Sequence, residues 1–484
     1  MSVTGSFRLK WFYAILISFI AIGCLFLAKE MFWIALVPVV LGVVFLAMFA
    51  MDVLLLLIVF CTPLAINLEG KNFGLALSLP TEPLMAGVML LFIIKIVFEG
   101  GFDRRVLYHP VSIMILIYLS WMFLTCFTST MVVVSLKHFI AKLWFICPFY
   151  FLGTQLFRDF KNIRKFIWMY ITPLLIVIAY TIYGHWQHGW TQKAAHMVMW
   201  PFYNDHTAYA AAIAMFLPIT IGFIFDKDAT SRTRFISGIV SLVFIIAMVL
   251  SYTRAAWISL AIALTVFIIF YFRIRFSVVF IALATLLILF FSFQTQIMIK
   301  LERNRTQSAT DFNKHLQSIS NISTDASNLE RINRWHSAMR MFEEKPVFGW
   351  GPGTYQFKYA PYQQSKEKTI ISTNAGDAGT AHSEYIGPLA ESGVLGLVTF
   401  ALVLIAVIYL AIMLYSYSLD REIKMFSLSV FLGLVTYLVH GALNNFLDTD
   451  KASVPFWGFI GILVALDVYH AKERKHREKK LIEK

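Results

Sequence analysis

The sequence predicts an all-α, polytopic integral membrane protein, and three observations carry that prediction. The chain of 484 residues is 59% hydrophobic and 14% charged, with a mean hydropathy of +0.71. Its apolar residues come in runs of about 17 to 22, long enough to cross the hydrocarbon core as helices. Its lysines and arginines gather in the short segments between those runs. A soluble domain of this length would expose large apolar patches, so the bilayer must be its main solvent.

The runs fall at 11–28, 31–49, 52–67, 82–98, 110–130, 138–157, 165–183, 205–225, 235–252, 255–272, 276–293, 394–416, 425–445 and 453–470, fourteen spans in all. The first follows the basic stretch Met1 to Lys10, and no small-residue cleavage site separates it from the second. It therefore reads as a retained helix. Arg104 and Arg105, Arg158 to Lys165, Lys227 to Arg234, Arg421 and Lys424, and the basic tail alternate with loops that hold only isolated cations. By the positive-inside rule both termini face the cytoplasm. The net charge of +13 then reflects topology and anionic headgroups, not nucleic acid. Cys24, Cys61, Cys126 and Cys147 sit in or beside apolar runs and read as small core residues.

Residues 1–293 form the expected membrane domain of eleven spans, 294–393 a large periplasmic loop, 394–470 the last three spans, and 471–484 a basic cytoplasmic tail. Loops this long are usually functional or disordered. Thr306 to Asp325, rich in Ser, Thr and Asn, is expected to be mobile. Asn328 to Glu343 has helical spacing, with Leu329, Ile332, Trp335, Met339 and Phe342 on one stripe, and Pro346 and Gly349 end it.

The densest run of informative residues is Arg331 to Gly396. It contains Arg331 and Arg334, then Gly349-Trp-Gly-Pro-Gly353, Ala381-His-Ser-Glu-Tyr385 and Glu391-Ser-Gly393. Weaker pieces are Ser251-Tyr-Thr-Arg254, Asn204-Asp-His-Thr-Ala-Tyr209 and Asn444-Asn-Phe-Leu-Asp448. In order and spacing these segments resemble the O-antigen ligase and polymerase superfamily of lipid-linked glycan transferases. The resemblance implies a donor glycan on undecaprenyl diphosphate and an acceptor hydroxyl on lipid A core, on a growing glycan or on a protein Ser/Thr. It implies no cofactor, no nucleic acid and no obligatory metal, with membrane lipids as surroundings. It also implies a functional histidine at His382, supporting roles for Asn204 and Tyr385, and an acidic position at Asp448 that orients His382 or an arginine. The family's additional arginine before Asn204 is missing here, and Lys193 or His196 stands in its region.

Chemistry gives these residues their expected roles. A departing diphosphate needs cations, and arginine binds two phosphate oxygens at once. Arg254 lies at the outer end of two apolar spans, where an unpaired cation is costly, so it is a functional candidate. Arg331 and Arg334 share a helical face and could hold a second phosphate; an exposed face paired with Glu330 fits the spacing equally well. His382, with an ordinary pKa near ~6.5, suits a base near neutral pH. Glu391, at the membrane end of a span, is expected to anchor an arginine. Asp448-Thr-Asp450 has the spacing of a metal-diphosphate pair, but such short matches are common by chance. The glycine-rich run lacks the lysine and the preceding strand of a phosphate loop and reads as a rigid turn. A flippase or transporter would instead show paired inverted halves with broken helices, and the single large loop is asymmetric.

Overall fold

The computed structural model describes residues 37–69, 76–227, 229–275, 277, 278, 281, 284, 285, 326–369, 372, 373 and 379–471. The expected span 11–28, most of 276–293, the stretch 306–325 and the tail 472–484 lie outside the described residues. The chain forms two compact units, 1–57 and 58–484.

In the first unit lie α1 (Val37–Phe49) and most of α2 (Met51–Cys61). The expected span 52–67 is corrected here. The helix passes into a 3-10 turn at Thr62–Leu64, and the chain then becomes extended. Together they cover 14 residues, Met51–Leu64, about 21 Å of helix and short of a ~30 Å core. Pro63 lies in that turn, and a proline inside a helix loses a backbone hydrogen bond. β1 (Ile66–Glu69) and β2 (Ala76–Leu79) then pair antiparallel, Ile66 opposite Leu79. Among the described residues the fold is therefore helical with one small hairpin, not purely α.

The second unit continues with α3 (Thr81–Glu99), α4 (Pro110–Phe127), α5 (Val132–Ile146), α6 (Phe160–Gln187), α7 (His206–Ile224), α8 (Ser231–Leu250) and α9 (Arg254–Tyr271). After them come α10 (Ala326–Glu344), α11 (Ile386–Tyr417), α12 (Arg421–His440) and α13 (Asp450–Ala465). Among the described residues ten helices are long and apolar enough to cross a membrane. They are all of α3 to α13 except α10, and each overlaps one expected span. Their starts are written locally. Asp159, Asp205, Thr230 and Asp420 each accept a backbone N–H at the head of α6, α7, α8 and α12. α5 runs on through a π-helical turn, Cys147–Leu152, where Pro148 cannot supply the regular hydrogen bond. α7, α12 and α13 are the most enclosed helices, while α3, α8 and α9 keep broad apolar faces outward. α10 packs on α11, and α4 packs along α11.

α10 forms where the spacing predicts a helix, but its buried face is rotated. Glu330, Asn333, Arg334, Ser337, Ala338 and Met341 point inward, while Met339 is exposed. Hydrophobicity alone could not find this stripe, because its polar members bury themselves as partners. Arg334 Nε donates to Glu330 Oε1 at 2.6 Å, and Asn333 Nδ2 donates to Gln363 at 2.8 Å.

Candidate active site

The glycine-rich run is the clamp that holds the large loop to the bundle. Gly349, Gly351 and Gly353 all have positive φ, as the rigid-turn reading expects. Trp350 N donates to Ala390 O at 3.1 Å, and Gly351 N donates to Glu391 O at 2.7 Å. α11 kinks at Gly393, φ 69°, where Val394 N donates to Pro346 O at 2.9 Å. A Cβ on Gly349 would overlap the Glu391 backbone, and one on Gly393 would overlap Val347 O. The two segments can only interlock with glycine at both places. The hydropathy boundary at 394 falls at this kink, whereas the helix itself begins at Ile386.

Beneath the clamp is a cavity of ≈ 250 Å³. Trp121 and Tyr118 from α4, Lys142 from α5, Glu391 and Phe400 from α11, and Glu384 and Asp448 from the turns line it. Lys142 Nζ lies 2.6 Å from Asp448 Oδ1 and donates to Leu447 O at 3.0 Å. His138 Nε2 stands 3.9 Å from the same carboxylate oxygen. The Asp448 side chain is 42% accessible, at the mouth, while that of Lys142 is 9% accessible, behind it. Partial burial works against charge on Asp448, but Lys142, seconded by His138, outweighs it and holds the carboxyl below its ordinary range. Burial pushes Glu384 up to about 7, against the pull of Lys142. Glu384 Oε1 accepts from Tyr437 Oη at 2.6 Å and from Leu447 N at 2.8 Å.

Thr380, Ala381, Ser383 and Glu384 line the cavity, and His382 between them turns the other way. His382 has φ 49°, a left-handed conformation that costs a residue bearing a Cβ. The turn is pinned by Glu384 N to Gly441 O at 2.8 Å and by Tyr385 Oη to Leu438 O at 2.8 Å. On its far side His382 lies within electrostatic reach of Arg331, Arg334, Asp205 and Glu330. Burial, then the Arg331 and Arg334 cations, lower its pKa to about 4, so the ordinary histidine value expected from sequence does not apply. His440, from the end of α12, is buried within electrostatic reach of Asp205, Arg331 and His206. His196 stacks on His206, ring centroids 4.0 Å apart. Arg331 Nε donates to Leu443 O at 3.1 Å, which ties α10 to the loop after α12.

The other sequence candidates divide. Arg254 opens α9, and its neighbour Thr253 donates to His206 O at 3.2 Å, so the helix start adjoins the histidine group. Asn204 accepts from Asn67 Nδ2 at 3.0 Å, and Lys193 is exposed. Arg334 is 4% exposed, paired with Glu330 and laid 3.9 Å over the Tyr359 ring. Two expectations are corrected. Glu391 Oε1 accepts from Tyr355 N at 3.0 Å and so secures the glycine-rich turn instead of an arginine. Asp448 pairs with Lys142, not with His382 or an arginine. Asp450 sits apart from it, buried, accepting from Thr81 Oγ1 at 2.6 Å. Among the described residues no group of three His, Cys, Asp or Glu is arranged to hold a metal ion. If arginines carry the diphosphate, transfer is expected to persist in EDTA, and Asp450→Ala to lower the unfolding midpoint without changing turnover per folded molecule. Activity lost in EDTA and restored by Mg²⁺ would reverse this.

Lys142, His138, Glu384 and Trp121 escaped the sequence reading. Lys142 had a usable signal, because it lies within the expected span 138–157, where an ionised side chain needs a partner.

These features define a multi-pass helical membrane protein with a cationic histidine site and a charged cavity at one end of its bundle. Residues 239–401 match the family model described as O-antigen ligase. The match covers about a third of the chain, from within α8 to within α11, and is a likeness to the O-antigen ligase and polymerase superfamily. It takes in Arg254, Arg331, His382 and Glu391; Lys142, Asn204 and Asp448 lie outside it. Comparison with curated proteins finds no match.

Proposed function

We propose that the protein transfers a glycan from undecaprenyl diphosphate to an acceptor hydroxyl at the periplasmic face of a bacterial inner membrane, with inversion and without a metal. The observation that carries this reading is that His382 lies within electrostatic reach of Arg331, at the end of the bundle where α9 begins with Arg254. The donor diphosphate, reaching the site from the outer leaflet, binds Arg331 and Arg254. His382 takes the proton of the acceptor hydroxyl, whose oxygen attacks the anomeric carbon. The bond from that carbon to the diphosphate oxygen breaks, and the arginines stabilise the departing charge. Asp205 lies within electrostatic reach of both His382 and His440 and favours their charged forms.

Arg254 gives the direct test. Arg254→Ala is expected to lower transfer by about 10²–10³-fold, the loss typical of removing one donor to developing charge. Arg254→Lys should restore only part, because a point charge cannot grip two phosphate oxygens. The measurement is formation of the new glycosidic bond, followed by mass, in protein reconstituted with a defined undecaprenyl-diphosphate glycan. Full turnover by the alanine variant removes Arg254 from the site.

A further inference from the structure

We propose that the cavity beneath the His382 turn seats one sugar ring of the acceptor, and that it selects uncharged or amine-bearing rings over acidic or phosphorylated ones. The proposal rests on the transferase reading and adds the acceptor's chemical class to it.

Size comes first. At ≈ 250 Å³ the cavity falls below the ~300–1,000 Å³ of sites that take drug-sized ligands, which suits a single ring better than an extended oligosaccharide. Its lining then matches the two faces of a pyranose. Tyr118, Trp121 and Phe400 offer flat apolar surface to the C–H face. Trp121 is held in place by a 2.9 Å hydrogen bond from Nε1 to Ser392 O and by stacking on Phe348. Glu384, Glu391 and Asp448 offer carboxylate oxygens to the hydroxyls.

An independent observation points to a missing partner. Trp457 lines the cavity, is 1% exposed, and its indole N–H has no hydrogen-bond partner among the described residues. A buried donor left unpaired is costly, and a sugar oxygen would accept from it.

Charge sets the selectivity. Three carboxylates line the cavity against one ammonium, and that ammonium is already paired with Asp448. Glu384, which burial pushes up to about 7, is about half ionised at neutral pH, so with Glu391 it supplies a negative charge that is partial there and grows above pH 7. A carboxylate or phosphate on the incoming ring would meet it at short range and at low dielectric, where repulsion is strong. An uncharged hydroxyl or an ammonium would not. The wall beside the ring is the turn that carries His382, whose side chain lies on the far side, so the seated ring is a neighbour of the one that reacts.

The test is direct binding to purified full-length protein by isothermal titration and saturation-transfer NMR. The probes are methyl glucoside, methyl glucosaminide, methyl glucuronide and glucose 6-phosphate. We expect the first two to bind and the acidic pair to bind at least about tenfold more weakly. Trp121→Ala should abolish binding. Glu384→Gln with Glu391→Gln keeps the oxygen acceptors and should narrow the discrimination against the acidic probes. Equal binding of all four probes by the native protein, or of none, overturns the proposal whatever the variants do. Glycan transfer in protein that binds none of them leaves the transferase reading intact and removes the sugar seat. Binding with the expected selectivity but no new glycosidic bond leaves the seat standing and sinks the transferase reading.

Discussion

His382→Ala is expected to lower glycan transfer by about 10²–10⁴-fold, the range for removing a positioned base. Donor binding should survive, because Arg331 and Arg254 remain. The pH profile gives the sharper readout. An ordinary histidine would switch the reaction off below ~6.5, but burial and the neighbouring Arg331 and Arg334 lower the pKa of His382 to about 4. The base form is the neutral imidazole, so a depressed pKa extends activity downward in pH. The acid limb of kcat/KM, which reports the free enzyme, should therefore lie near pH 4. The limb of kcat should lie higher, because a bound diphosphate offsets the arginine charge that disfavours imidazolium. His382→Gly adds a control that a structural histidine would fail. At φ 49° the native residue holds a conformation that glycine adopts freely. The glycine variant should be inactive yet no less stable, and more stable by about 1 kcal/mol if nothing else is lost. Normal turnover by His382→Ala, or an acid limb of kcat/KM near 6.5, would sink the assignment.

The fold was legible wherever the bilayer dictates it. Each of the ten long helices coincides with an expected span, because a backbone crossing lipid must satisfy its own hydrogen bonds as helix. The failures come where apolarity is present and helix is not. Residues 52–67 are as apolar as a span, but Pro63 stops the helix and Asn67 and Ser78 join the hairpin through their side chains. The site was half legible. His382 and Arg331 stand out by type and position, and they lie within electrostatic reach of each other. The Lys142 to Asp448 pair joins residues 306 positions apart, from 448 − 142, through a contact that only the packing of α5 against the loop before α13 creates. Nor could spacing say which way α10 turns, since a buried ion pair and an exposed one look alike along the chain. That last ambiguity makes Arg331 and Arg334, three residues apart and equivalent on paper, the best pair to separate by experiment.

Arg334→Ala should unfold the large loop, whereas Arg331→Ala should leave it folded and inactive. Arg334 and Glu330 are both about nine-tenths enclosed, with 5% and 6% of their side chains accessible. Burial alone would raise the Glu330 carboxyl, but hydrogen bonds from Ser372 and Arg334 outweigh it and keep the pKa below its ordinary range. Removing the arginine strands that carboxylate and empties the space over the Tyr359 ring, and breaking a buried pair costs about 3–5 kcal/mol. Arg334→Lys should recover little, since an ammonium neither stacks flat on the ring nor presents the same fork. Arg331 is only half-buried, and a hydrogen bond to Leu443 O is among its contacts, so its loss should cost less stability than that of the buried Arg334. Its transfer rate should nevertheless fall by about 10²–10³-fold, as expected for a group that meets developing charge. The two measurements are the unfolding midpoint in detergent and the transfer rate per folded molecule, taken on the same preparations. An Arg334→Ala protein with a native midpoint and no turnover would return Arg334 to the diphosphate site. An Arg331→Ala protein with native turnover would leave His382 facing a structural cation and remove the second phosphate contact from the mechanism.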